Sequence, residues 1–184
     1  MRTIFKIPVL SLILILLVSC GKDAKKEESK MLLKSEFMSI EIPEGYDSSE
    51  TNDPKQLFML VKSMGDKGYV NFSIDYIDDD VFSLITNEAY INNAIGEESV
   101  SNWKELAEDL ESYKHRQSVK YTFNSIGATL MRQDSFVQDD ERVLFTLFQF
   151  VYDGKLFTCG AKSINTADNE YFDDYVEIME SIKF

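Results

Sequence analysis

The chain has 184 residues, 44% of them hydrophobic, with 32 acidic side chains against 19 basic ones and a net charge of −13. A chain of this length suits one ordinary domain with a segment to spare. The acidic balance argues against a nucleic-acid partner, whose phosphates require Lys and Arg, and against lying flat on anionic lipid. Its plain role is to keep the domain soluble; its sharper reading is a cationic partner or a divalent-ion bridge.

Arg2 and Lys6 precede Ile7 to Val18, a run that is apolar apart from Pro8 and Ser11. As a helix that run reaches about 18 Å, short of a hydrocarbon core of about 30 Å. It has the size of a signal-peptide core rather than of a membrane span. Leu17-Val18-Ser19-Cys20-Gly21 follows and resembles a lipobox, the processing site of bacterial lipoproteins. The resemblance implies that residues 1–19 are a signal peptide, that cleavage falls before Cys20, and that lipid is attached to its sulfur. Such proteins carry two or three acyl chains, and two or more hold a protein stably. Gly21 and Lys22 stand where enteric bacteria place an aspartate for inner-membrane retention. The expected address is therefore the bacterial cell envelope, lipid-anchored, with the outer membrane preferred where the host has two.

Loss of residues 1–19 removes Arg2 and Lys6 and takes the net charge to −15. Lipidation of Cys20 leaves Cys159 without a partner, so no disulfide forms within the mature chain. Gly21 to Lys30 has no apolar residue larger than alanine, cannot bury a face, and is expected to stay flexible. Residues 20–34 are thus the lipidated cysteine and a charged tether, and residues 35–184 a single domain.

Phe37-Met-Ser-Ile-Glu-Ile42 reads as a first strand, stopped by Pro43 and Gly45. Gln56 to Met64 and Tyr69 to Ile77 read as two strands joined by a turn over Gly65-Asp-Lys-Gly68. After Asp78-Asp79-Asp80 the pattern turns helical, over Val81 to Ile95 and again over Ser99 to His115. In the second helix Trp103, Leu106, Ala107, Leu110 and Tyr113 share a face, and Ser101 is placed to cap its start. Strand patterns return over Val119–Ile126, Ala128–Val137 and Arg142–Tyr152, the last apolar on both faces as a covered strand would be. Asp153-Gly154 signals a tight hairpin into Lys155–Ser163. A closing helix from Ala167 to Ser181 carries Phe172, Val176, Met179 and Ile182 on one stripe, with Tyr175 beside it. This order predicts an α+β domain: a mostly antiparallel sheet of about seven strands with helices packed on it.

Phe37-Met-Ser-Ile-Glu-Ile-Pro-Glu-Gly-Tyr46, the late hairpin at Asp153-Gly154 and the ending Glu180-Ser-Ile-Lys-Phe184 together resemble the PsbP-like fold. That fold is named for an extrinsic photosystem II subunit and shared by small bacterial lipoproteins. The resemblance spans most of residues 35–184. It implies a sandwich of sheet and helices, brings no catalytic residues with it, and favours a protein that binds or assists a larger assembly.

No residue set specifies a reaction. His115 is the single histidine, and the expected helix end makes it a complement to the dipole. There is no Gly-x-Ser-x-Gly elbow and no phosphate-binding glycine loop. One histidine and one free cysteine fall short of a zinc set, and Cys159, on the face of Phe157 and Ala161, reads as a small buried apolar residue. Acidic clusters stand at Asp75 with Asp78, Asp79 and Asp80, at Asp139-Asp140-Glu141, and at Asp173, Asp174 and Glu177. None has the spacing of an EF-hand; solvated turns are the plain reading, and Asp75, Asp78, Asp79 and Asp80 the best candidate metal ligands. Tyr46, Tyr90 and Trp103 are assigned to the core, with a ligand groove or partner patch as the alternative.

The reading is a non-enzymatic, membrane-anchored binding or accessory module for an envelope protein or complex, without a cofactor. A small-molecule or divalent-metal carrier is the alternative, and a carboxylate-based hydrolase a third.

Overall fold

Alternation of apolar and polar residues at period two, punctuated by Gly and Asp turns, sets the architecture of the computed structural model. It describes residues 30–65, 68–166 and 170–184. The expected signal peptide over residues 1–19 and Cys20 lie outside the described residues, as does part of the turn before Tyr69.

The element order is β1 (Met31–Lys34), β2 (Ser39–Ile42), β3 (Asp47–Ser48), β4 (Gln56–Ser63), β5 (Tyr69–Asp78), α1 (Asp80–Ser83), α2 (Asn87–Ala94), α3 (Glu97–Leu106), β6 (Lys114–Phe123), β7 (Gly127–Gln138), β8 (Glu141–Tyr152), β9 (Lys155–Ile164) and α4 (Phe172–Ser181). Seven strands form one antiparallel sheet in the order β3-β4-β5-β9-β8-β7-β6, and β1 and β2 form a separate hairpin. The fold is α+β, as the sequence predicts.

Register assigns the two faces of the sheet. Phe72 lies opposite Ala161, Ile74 opposite Cys159, Cys159 opposite Phe148, and Phe157 opposite Phe150. This inner face meets Ile40 and Ile42 of β2 and Tyr175, Ile178 and Met179 of α4, forming the main core. Burying each such aliphatic or aromatic side chain stabilises the fold by about 1.5–3 kcal/mol. Phe150 and Phe157 stack at 5.4 Å, and Phe123 meets Phe148 edge-on at 5.3 Å. Cys159 is fully buried here, and burial pushes its thiol well above the usual range. It fills space and is kept from acting as a nucleophile.

The outer face carries Leu130, Arg132 and Asp134 of β7, opposite Gln149, Leu147 and Phe145 of β8. Helix α2 covers one end of it. Asn87 donates to the Ala128 carbonyl at 2.8 Å and accepts from the Val151 amide at 2.9 Å, while Tyr90 Oη donates to Gln149 Oε1 at 2.8 Å. Strand β8 is apolar on both sides because the core lies under one face and α2 and α3 over the other.

Four departures from the sequence reading have physical causes. The strand β1 pairs with β2, so the boundary expected at Ser35 falls inside a hairpin. Ser35 Oγ accepts from the amides of Phe37 and Met38 at that turn, which delays β2 to Ser39. The helix expected over Val81 to Ile95 divides because Thr86 adopts extended backbone and caps a new start, its hydroxyl accepting from Ala89 N at 3.2 Å.

The helix expected to run to His115 stops at Leu106, and Ser101 lies inside it, since the N-cap is Gly96. Beyond Ala107 the chain is claimed by the sheet. The Val137 amide of β7 donates to the Glu111 carbonyl at 2.7 Å, Ser112 turns through a φ of +53°, and β6 pairs with β7 from Lys114 onward. His115 is therefore a strand residue and not a helix terminus.

Candidate functional site

The outer face of the sheet holds a buried polar cluster under α3. His115 of β6 lies opposite Asp134 of β7, and a bulge follows it before Gln117 pairs with Gln133. The extra residue, Arg116, shifts the alternation by one, so Ser118 lies on the same face as His115. Arg132 and Asp134, two apart on β7, share that face too.

Asp134 is the centre of the cluster. It accepts from Tyr113 Oη at 2.8 Å and contacts His115 Nδ1 at 2.9 Å, both through Oδ1. The carboxylate can only accept, so His115 carries a proton on Nδ1. Arg132 Nε lies 2.7 Å from Asp134 Oδ2 in an ion pair too bent to be a linear hydrogen bond. Arg132 Nη2 donates to Tyr113 Oη at 3.0 Å. Burial, and next the bond to Asp134, raises the Tyr113 phenol above its ordinary range.

Arg132 and Asp134 are only 5% and 3% exposed. Trp103 of α3 covers the guanidinium, with 4.2 Å between the guanidinium carbon and the indole centre. A cation over an aromatic face in a dry site gains about 2 kcal/mol. Arg132 Nη1, however, is buried with no hydrogen-bond acceptor, a donor whose desolvation costs about 1–3 kcal/mol.

Beside this cluster lies a cavity of about 390 Å³. Its walls are Trp103, Leu106 and Leu110 from above and Phe136, Phe145 and Leu147 from the sheet, with Arg132, Asp134 and Lys162 as its charged members. On the other side of Trp103 a second hollow, of about 580 Å³, runs between α2, α3 and Leu130, Gln149 and Leu156. Trp103 thus divides one groove between helices and sheet. It is 42% exposed, Leu106 77% and Leu110 41%, and α3 buries none of its residues. The expectation that Trp103 belongs to the core is corrected: it covers a groove. Tyr46, by contrast, is buried in the core, and burial raises its phenol strongly. Tyr90 is half-buried and anchors α2.

Ser118 Oγ approaches His115 Nε2 at 3.4 Å, so serine, histidine and aspartate fall in one line. The contact is long, Arg132 and Tyr113 already engage the aspartate, and neither Ser118 nor His115 lines the neighbouring cavity.

The candidate metal ligands are dispersed. Asp78 pairs with Lys155 at 3.1 Å, Asp79 caps α1 through Val81 N at 3.0 Å, and Asp80 sits in the first turn of that helix. Asp75 accepts from Ser73 Oγ at 3.2 Å, and burial raises its carboxyl above the usual range. Among the described residues no three acidic, histidine or cysteine side chains converge on one point. Asp139 and Asp140 form the left-handed turn between β7 and β8, with φ of +53° and +63°, and Asp174 pairs with Lys62 at 3.0 Å.

Arg132 and Asp134 were not among the residues singled out in the sequence. Their signal is an arginine and an aspartate two positions apart within one strand, which alternation places on one face.

No family model matches this chain, and no curated protein does. Solved structures do. LpqN of Mycobacterium tuberculosis, a protein involved in cell envelope biogenesis, is 11% identical, with a TM-score of 0.53 over 86% of this chain and 86% of that one. The fold is similar to that of LpqN. Cyanobacterial PsbP (CyanoP) from Synechocystis is 12% identical over 89% of this chain and 98% of that one, at a TM-score of 0.49. A structure from Bacteroides thetaiotaomicron is 9% identical over 79% of this chain, at a TM-score of 0.49. The present chain spans 44% of that protein's length. Among the described residues no helix is long and apolar enough to cross a membrane.

Proposed function

We propose that this chain is a lipid-anchored protein of the bacterial cell envelope whose domain is a non-enzymatic binding module. Its recognition surface is the groove under α3. The observation that carries the reading is a helix with no buried residue, standing over an apolar groove and presenting Trp103 and Leu106 to solvent, with Leu110 exposed just beyond its end. Large apolar side chains grouped in this way mark interaction sites more often than ordinary surface.

Two further features agree with it. Leu17 to Gly21 resembles a lipobox, which supplies the anchor through Cys20. LpqN, whose fold is similar, is involved in cell envelope biogenesis. Ser118 and His115 do not line the neighbouring cavity, and Arg132 and Tyr113 already engage Asp134, which favours binding over turnover.

The test is cross-linking in the native envelope followed by mass spectrometry, with Cys20→Ser as control. The reading expects one species enriched with the anchored chain and lost with the variant, and the variant leaving the membrane fraction. Equal membrane association of both forms would contradict the anchor, and no enriched species would contradict the module.

A further inference from the structure

We infer that the cavity under α3 binds the carboxylate of a small amphiphile, a monocarboxylate on an apolar body, through Arg132. The inference rests on the reading of this groove as the binding surface and names what occupies it.

The chain as a whole carries −13, yet the charged residues lining this cavity are Arg132 and Lys162 against Asp134 alone. Lys162 Nζ donates to Gln138 Oε1 at 3.0 Å rather than to a carboxylate. A single negative charge would balance the lining.

Asp134 engages Nε of Arg132 and Tyr113 engages Nη2, while Nη1 is buried with no acceptor. Side chains leave such a donor unpaired rarely, and a guanidinium is shaped to take a carboxylate through its fork. An anion at Nη1 would complete its bonds.

Leu106, Leu110, Phe136, Phe145 and Leu147 surround the charged end, so the rest of the ligand must be apolar. A free inorganic anion would leave these walls without a partner. Arg132 lines the cavity, and Trp103 lies over its guanidinium at 4.2 Å from a helix with no buried residue and a start capped by Gly96 without a side-chain bond.

Trp103 is the single tryptophan of the chain, so its fluorescence reports on this site alone. The experiment titrates the full chain, reconstituted in protein-free phosphatidylcholine vesicles, with octanoate, octanol and octylamine. These share an apolar chain and differ only in the charge of the head. Saturable change with octanoate, at an affinity about tenfold or more above those of octanol and octylamine, is the expected result. Arg132→Met should remove most of that preference. The head-group series is read on the wild-type chain, so a variant that fails to fold leaves the test intact. Equal affinity for octanoate and octanol would overturn the inference while leaving the groove as a binding surface. No saturable change with any of the three would overturn both.

Discussion

Replacing Asp134 by asparagine keeps the shape of the side chain and removes its charge. The perturbation is large because of where the charge sits. Side chains of Arg132 and Asp134 are 6% and 5% exposed, and three donors converge on the carboxylate, from Arg132, Tyr113 and His115. Removing one partner of a buried pair costs about 3–5 kcal/mol, because the other charge is left uncompensated. A domain of this size is stable by roughly 5–15 kcal/mol, so Asp134→Asn should remove about a fifth or more of the total and lower Tm by roughly 10 °C. Urea unfolding followed by Trp103 fluorescence reads the loss. The double replacement Arg132→Met with Asp134→Leu removes both charges and should recover part of it, since apolar residues of similar volume substitute well for buried pairs while Tyr113 and His115 still lose their acceptor. A cost for Asp134→Asn under about 1 kcal/mol would refute the reasoning, as it would mean that water screens the pair. So would a double variant no more stable than the single one.

Other perturbations probe the frame around the site. Gly154 has a φ of +71°, and a Cβ there would meet Ser83 Oγ at 2.8 Å. Gly154→Ala should therefore cost about 1–2 kcal/mol, read as a lower urea midpoint with an unchanged slope. Phe148 is fully buried between Phe123 and Cys159; Phe148→Ala should cost about 3–5 kcal/mol, and a loss under about 1 kcal/mol would show that the core refills. Burial pushes the Tyr90 phenol up to about 12 and raises those of Tyr46 and Tyr175 further. An unfolded tyrosine ionises near about 10, so above that pH the unfolded state holds fewer protons than the folded one. Stability should then fall as pH rises from about 10 towards about 12, and a urea midpoint that stays flat through this window would contradict the burial of these hydroxyls.

The strands from Ala128 onward were legible because local and long-range signals agree there. Alternation, the Asp153-Gly154 turn and the helix stripe at Met179 all point to one sheet with one helix on it. The middle of the chain was less legible because two codes overlap. Trp103, Leu106, Leu110 and Tyr113 keep helical spacing across a helix that ends at Leu106. Pairing of β6 with β7 decides where the helix stops, and such pairing is invisible to a window of local sequence. The site suffered from the same blindness. Asp134 gathers Tyr113, His115 and Arg132 from two strands and a turn, and only the register brings them together. The acidic runs misled in the opposite direction: Asp78 and Asp79 are adjacent in sequence yet serve Lys155 and a helix start.

The groove as recognition surface of an anchored envelope protein is tested most directly by placing a photo-crosslinker at Leu106, which is 77% exposed above the cavity. The companion probe replaces Glu50, an exposed loop residue beside β3. Both are read in living cells with Cys20 intact and with Cys20→Ser. The account predicts a discrete adduct from position 106 that depends on Cys20 and is absent from position 50. Adducts alike at both positions, or none at position 106, would contradict it.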